Sequence, residues 1–267
     1  MMARVQIQQM QDLNLEIPAG TYAGLSSVNK FGRAATGAQT TATDIWDRAD
    51  AAATQQIWVA PTQARKHAIV SSADTDGKTA TPNSVGARTL RVYGLTSWST
   101  AEVSEDITLT GTDAVNTTNS YVIIHRMKVL TKGATNVNVG TIKATAATDN
   151  SIGAVILPGQ GQTQMAIYGV PSIKTAYITG YYGGAIQAAA ACRGLLSLKV
   201  NTNPNAELIN FLTKHTIGWD TDASNYVQHK FRPYYQVAGP AIIKIQAISS
   251  AADTDFSAGF DLILVDN

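Results

Sequence analysis

Between Thr89 and Val129 apolar and polar residues alternate at a spacing of two, and no other stretch constrains the fold as much. Leu90 and Val92 alternate with Thr89, Arg91 and Tyr93; Val103, Ile107 and Leu109 alternate with Ser104, Asp106, Thr108 and Thr110. Successive side chains of a strand point to opposite faces, so this period describes strands with one wet face. Gly94-Leu95-Thr96-Ser97 and Gly111-Thr112-Asp113 stand between the runs. Their small polar side chains and glycines suit tight reversals, which predicts a β-meander. A third strand, Tyr121 to Val129, carries Val122 and Ile124 on one face and Tyr121, Ile123 and Met127 on the other. A strand that is apolar on both faces needs a second layer, and a β-sandwich supplies it.

Similar runs occupy most of the chain. Ile57 and Val59, then Ala68 to Val70, precede the meander, and Val137, Val139 and Ile142 follow it, with a change of parity across Gly140 as at a β-bulge. Further on come Met165 and Ile167, Ala176 and Ile178, then Leu196, Leu198 and Val200. Glu207 to Ile217 fits a strand or a helix face and is read as a strand beside other strands. Gln228 to Phe231, Ala241 to Ile248 and Ala258 to Val265 complete the set; Phe260, Leu262 and Leu264 share one face and pin the C-terminal segment in a sheet. The expected fold is all-β: two β-sandwich, jelly-roll-like domains over 57–155 and 156–267, divided within the Gly-, Pro- and Asn-bearing stretch Ala146 to Gly161. Residues 1–56 read as an extended, partly irregular N-terminal arm, with either a helical turn or a loop near Thr43 that seats Trp46 on a neighbouring surface.

Charged residues are 15% of the chain, against about 25% for an ordinary globular protein, and the net charge is +1. No basic stripe exists to displace counterions, so nucleic acid is not an expected partner. No run of about 18 apolar residues suggests a membrane span, and the N-terminal stretch lacks a signal-type apolar run. Cys192 is the single cysteine, which rules out an internal disulfide framework.

Chemistry-bearing groups are dispersed. Asp74/Asp76 and Asp253/Asp255 sit in two Asp-Thr-Asp turns, too few oxygens for a calcium loop and ordinary for a turn. These turns follow Ser-Ser in both HAIVSSADTDG at 67–77 and AISSAADTDFSAG at 247–259, an echo that fits either a duplication or two similar turns. His67, His125, His215 and His229 show no metal-ligand spacing, and Cys192 follows an alanine run that would not stabilise a thiolate. Gly159-Gln160-Gly161 lacks the lysine of a phosphate loop. Trp219, Asp220 and Asp222 set a carboxylate pair beside an aromatic, the minimum for a polysaccharide-active enzyme, and read equally as a hairpin tip. The expectation is therefore no catalytic residue, no metal site and no cofactor.

The segments NKFGR at 29–33, DIWD at 44–47, ARTLRVYGL at 87–95, SEDITLTGTDAVNTTNSYVIIHRMKV at 104–129, GQGQTQMAIYGVPSIKTAYIT at 159–179 and SAGFDLILVDN at 257–267 resemble, in that order, structural proteins of tailed phages, especially phages of marine bacteria. The resemblance implies a virion component made in the host cytoplasm, most readily a cement or decoration subunit on the capsid exterior. Its partners would then be the major capsid protein, bound through the N-terminal arm and the β-sandwich faces, or other virion proteins, and it would form a homo-oligomer with a trimer preferred. A place on the tail, baseplate or fibre is the alternative, and a polysaccharide-active tail enzyme a remote one. Wide, weakly charged surfaces fit such contacts. The residues marked as interface candidates are Phe31, Arg33, Trp46, Trp58 and Trp219, since aromatics and arginine dominate binding energy at interfaces.

Overall fold

The structure, a computed structural model, describes residues 12–34, 41–47, 57–77, 85–187, 191–205, 210–222, 225–251 and 254–267. One helical turn, α1 (Leu13–Glu16), is capped by the Asp12 carboxylate, which accepts the Asn14 N–H at 3.0 Å. The strands follow. β1 (Leu25–Ala34) and β2 (Thr43–Asp44) come first. Then come β3 (His67–Ser71), β4 (Ala87–Leu95), β5 (Val103–Thr108), β6 (Val115–Asn116), β7 (Ile123–Lys132), β8 (Ile142–Ala146) and β9 (Ile152–Ile156). The last seven are β10 (Ile167–Val170), β11 (Lys174–Gln187), β12 (Arg193–Asn201), β13 (Leu212–Asp220), β14 (Tyr226–Ala238), β15 (Ala241–Ser249) and β16 (Thr254–Asp266). The chain is all-β, as its period-two patterning demands.

Among the described residues four antiparallel sheets form two pairs. Strands β3 to β9 make one pair, ordered β6-β3-β8-β9 and β5-β4-β7, which encloses Ile69, Leu90, Val92, Ile124, Met127, Ile142 and Ile156. The remaining strands make the other, ordered β1-β16-β11-β14 and β10-β15-β12-β13, with β2 pairing β15. Taken in chain order, β1 and β10 to β16 enter the two sheets in the sequence of an eight-stranded jelly roll, with β12 and β13 adjacent in one of them. Its core holds Ala176, Ile178, Tyr181, Leu196, Leu198, Ile243, Ile245, Phe260, Leu262 and Leu264.

Two expectations are corrected by this order. β4 lies between β5 and β7, so the Thr89–Val129 stretch is not a simple meander: β6 leaves for the other sheet before β7 returns. The segment expected to be an arm is, from Leu25 to Ala34, the first strand of the jelly roll, paired residue for residue with Val265 to Phe256 of β16. The whole first module is therefore an insertion between β2 and β10. Thr43 and Asp44 are strand residues, not the helical turn considered for that position. The expected bulge at Gly140 is displaced to the register shift between Ala144 and Thr145 of β8. Gly140 itself is required by contact, because a Cβ there would lie 2.5 Å from Ser71 Oγ.

The inserted module covers the outer face of the second jelly-roll sheet. Ile167 and Ile242 belong to that sheet yet pack, with Met165 just before β10, in the first module's core with Trp46 and Trp58. Seven of the nine residues of β15 are accordingly buried, which accounts for the continuous run Ala241-Ile242-Ile243 in place of alternation.

Candidate functional site

Where β1 of the jelly roll meets β7 of the inserted module, the sheets leave a cleft of about 370 Å³. Lys30 takes an inward position of β1 between Val28 and Gly32, and its side chain crosses to the other module, where Nζ donates to the His125 carbonyl at 2.5 Å. His125 is buried; its Nε2 lies 2.5 Å from Glu102 Oε2 and its ring is 4.6 Å from that of Tyr168. Arg126, the next residue of β7, points outward over the Tyr93 ring at 5.4 Å and donates from Nη2 to Gln162 Oε1 at 3.3 Å. Phe31, on the outward face of β1, stands at the cleft with 45% of its surface exposed.

The electrostatics follow from burial. Desolvation lowers Lys30 to about 7, with the nearby Arg126 charge acting in the same direction and Glu102 opposing it. Desolvation likewise lowers His125, so the imidazole is neutral at neutral pH. Glu102 lies below its ordinary range: burial raises it, but the His125 hydrogen bond and the Lys30 and Arg126 charges together outweigh that. Shifted titratable groups converging on a cleft mark a functional-site candidate.

Lys30 makes stability depend on pH with a definite sign. The unfolded chain holds that proton up to its ordinary 10.5, whereas the folded chain releases it near 7. Between these values the unfolded state carries one more proton, so this residue makes stability rise with pH, by up to about 1.4 kcal/mol per unit. Below pH 7 both states are protonated and the cost of burying the ammonium is constant. Lys30→Met should flatten the rise seen in urea unfolding between pH 7 and 9.5; an unchanged slope would show that another group carries it.

The interface candidates separate into two groups. Trp46 and Trp58 are each 1% exposed and Trp219 6%. These three anchor the chain's own cores, Trp58 through Nε1 to the Gly153 carbonyl at 2.8 Å and Trp219 edge-on to Phe256 at 5.4 Å. Phe31 and Arg33 lie on the outward face of β1, and Arg33 Nε is 2.8 Å from Asp47 Oδ1.

Other sequence-marked groups have structural employment. Asp76 is fully buried and accepts four hydrogen bonds: Ala87 N at 2.8 Å and Val139 N at 2.9 Å on Oδ1, Ser71 Oγ at 2.7 Å and Gly140 N at 2.7 Å on Oδ2. Asp74 accepts from Thr112. Asp255 is exposed where Asp76 is buried, and Asp253 lies outside the described residues. Asp220 pairs with Arg193 at 2.8 Å and accepts the Asp222 N–H at 3.0 Å. Cys192 is buried. Among the described residues no group of three His, Cys, Asp or Glu side chains is placed to hold a metal ion, and no helix is long and apolar enough to cross a membrane.

Sequence reasoning missed two associations. His215 and His229, on neighbouring strands β13 and β14, stack at 3.9 Å beside Phe231, and the Tyr181 hydroxyl lies 2.7 Å from His215 Nδ1. The cleft was missed because Lys30, Tyr93, Glu102, Arg126 and Gln162 are far apart in the chain; the one available signal was a lysine at an inward strand position. No family model and no curated protein matches the chain. Among solved structures it is similar, at 10% identity over 91% of this chain and 69% of the other, to the 2.6 Å structure of infectious bursal virus derived T=1 particles, with a TM-score of 0.19.

Proposed function

We propose that this chain is a structural subunit of a phage virion, a capsid-decorating protein that binds the major capsid lattice from outside. The observation that carries the reading is the flank formed by β13 and β14. Each is the edge strand of its own jelly-roll sheet, and the two lie side by side. Such edges present unpaired backbone groups, and proteins that do not use them normally cover or charge them. Here they carry Leu212, Tyr226 and Tyr234, each more than half exposed, while Ile217, Val227, Phe231 and Tyr235 are only partly buried against the core. Exposed apolar surface of this kind fits a lattice contact. Low overall charge and the resemblance to tailed-phage structural proteins support the same reading, and a homo-oligomer, with a trimer preferred, fits the symmetry of a head.

The flank replaces the N-terminal arm as the proposed anchor, because deleting residues 1–60 would remove β1, β2 and Trp58 from the fold. The test is a Leu212→Lys, Tyr226→Lys, Tyr234→Lys triple variant. It should fold and melt like the parent chain but lose at least about 90% of its binding to expanded heads, since removing central aromatic contacts costs about 2 kcal/mol or more each. Full retention on heads would overturn the flank assignment. Antibody labelling confined to tails in purified virions would overturn the decoration role in favour of a tail or baseplate position.

A further inference from the structure

We infer that the cleft between β1 and β7 is a binding site for a carboxylate-bearing sugar, held at its acid group by Arg126 and Lys30 and on its ring by Phe31. Among the described residues neither cation has a carboxylate within ion-pair distance. The acid that lines the cleft, Glu102, is engaged by His125. Arg126 keeps its charge and free N–H groups at the opening, and an arriving carboxylate would favour the protonated form of Lys30. Arg126 spends one N–H on Gln162, and a guanidinium matches a carboxylate with two parallel hydrogen bonds. Its plane is steadied by the Tyr93 ring beneath it.

The rest of the lining selects the class of acid. The cleft volume of about 370 Å³ lies at the lower end of the range for small organic ligands, about 300–1,000 Å³. A bare phosphate or sulfate would leave Phe31, Tyr93 and Tyr168 uncontacted. A pyranose has an apolar C–H face that packs on an aromatic ring and a rim of hydroxyls that bond to amides, and Phe31, Asn29 and Gln162 supply those two chemistries at one opening. The exposed ring of Phe31 is explained by this role, since its outward position on β1 gives it no core to join.

The experiment is calorimetric titration of the full chain with oligogalacturonate, with galactose oligomers and inorganic phosphate as comparison ligands. Oligogalacturonate should bind and the neutral sugar should not. Arg126→Ala and Phe31→Ala, both at exposed positions and expected to leave the melting temperature unchanged, should each weaken binding by about tenfold or more, equivalent to about 1.4 kcal/mol. Arg126→Lys should recover only part of the loss, because an ammonium cannot make the paired contact. Absence of binding at millimolar oligogalacturonate would overturn the inference, as would binding indifferent to both alanine variants. Phosphate competing as well as the uronate, with Phe31→Ala silent, would reduce the site to one for simple anions and also overturn it. The Leu212, Tyr226 and Tyr234 lysine variants leave the cleft intact, so failure of head binding and failure of sugar binding are separate results.

Discussion

Asp44→Ala should lower the unfolding free energy by about 3–5 kcal/mol, the largest loss expected from any single side chain among the buried ion pairs. Asp44 is fully buried on β2, and its Oδ2 lies 2.6 Å from Nζ of the equally buried Lys244 on β15. It also accepts the Trp58 N–H at 2.8 Å and the Gln246 amide at 3.1 Å. Desolvation raises the Asp44 carboxyl and lowers the Lys244 ammonium, and each partner opposes the other's shift. Truncating the acid leaves an ammonium in an apolar site whose remaining compensation is the Phe211 ring at 4.0 Å. Replacing both partners, Asp44→Leu with Lys244→Met, should recover most of the loss, because a packed apolar pair avoids desolvation altogether. A double variant as unstable as Asp44→Ala alone would show that the Trp58 and Gln246 bonds, not the ion pair, dominate. Urea unfolding of the four species decides between them.

Asp76→Ala should cost about 4 kcal/mol or more. Its carboxylate gathers three backbone N–H groups and one hydroxyl from β3, the start of β4 and the segment before β8. Losing it strands buried donors, each at about 1–3 kcal/mol. Asp76→Asn keeps the size but turns one acceptor into a donor that faces N–H groups, and it should recover less than half of the loss. A change below about 1 kcal/mol for the alanine variant would show that water replaces the carboxylate. The same residue explains why Gly86 is a glycine: a Cβ there would lie 2.0 Å from Asp76 Oδ1.

The strands legible in the sequence are those whose inner face packs against side chains. Phe260, Leu262 and Leu264 alternate because one face of β16 lies in the core that Leu196, Leu198, Ile243 and Ile245 of the other sheet also fill. β1 was hidden because its inward residues meet backbone and charge. Gly32 approaches Ala166 N so closely that a Cβ would lie 2.6 Å away, and Lys30 reaches across to the inserted module. Those two positions erase the apolar alternation and make a core strand resemble a polar arm. The aromatic anchors were visible but not their destination, since Trp46 and Trp58 look the same whether they fill a neighbour's pocket or their own core. The second half was legible as a set of strands, not as a strand order; the first strand of the jelly roll lies on the far side of an inserted module, and composition does not reveal that. The cleft depends wholly on that arrangement, which brings residue 30 beside residues 125 and 126.

The pairing of β1 with β16 also fixes when the molecule can be completed. Asn29 bonds to Asp261, 232 residues later, so a growing chain carries β1 unmatched until residues 256–265 have left the ribosome. Contacts this distant in sequence form slowly. The inserted module, whose strands find partners close by, is free to form during that wait. The unmatched strand meanwhile is protected by the features that concealed it: Lys30, Arg33 and Gly32 make it a poor template for aggregation. Its polarity thus serves the nascent chain as well as the finished one.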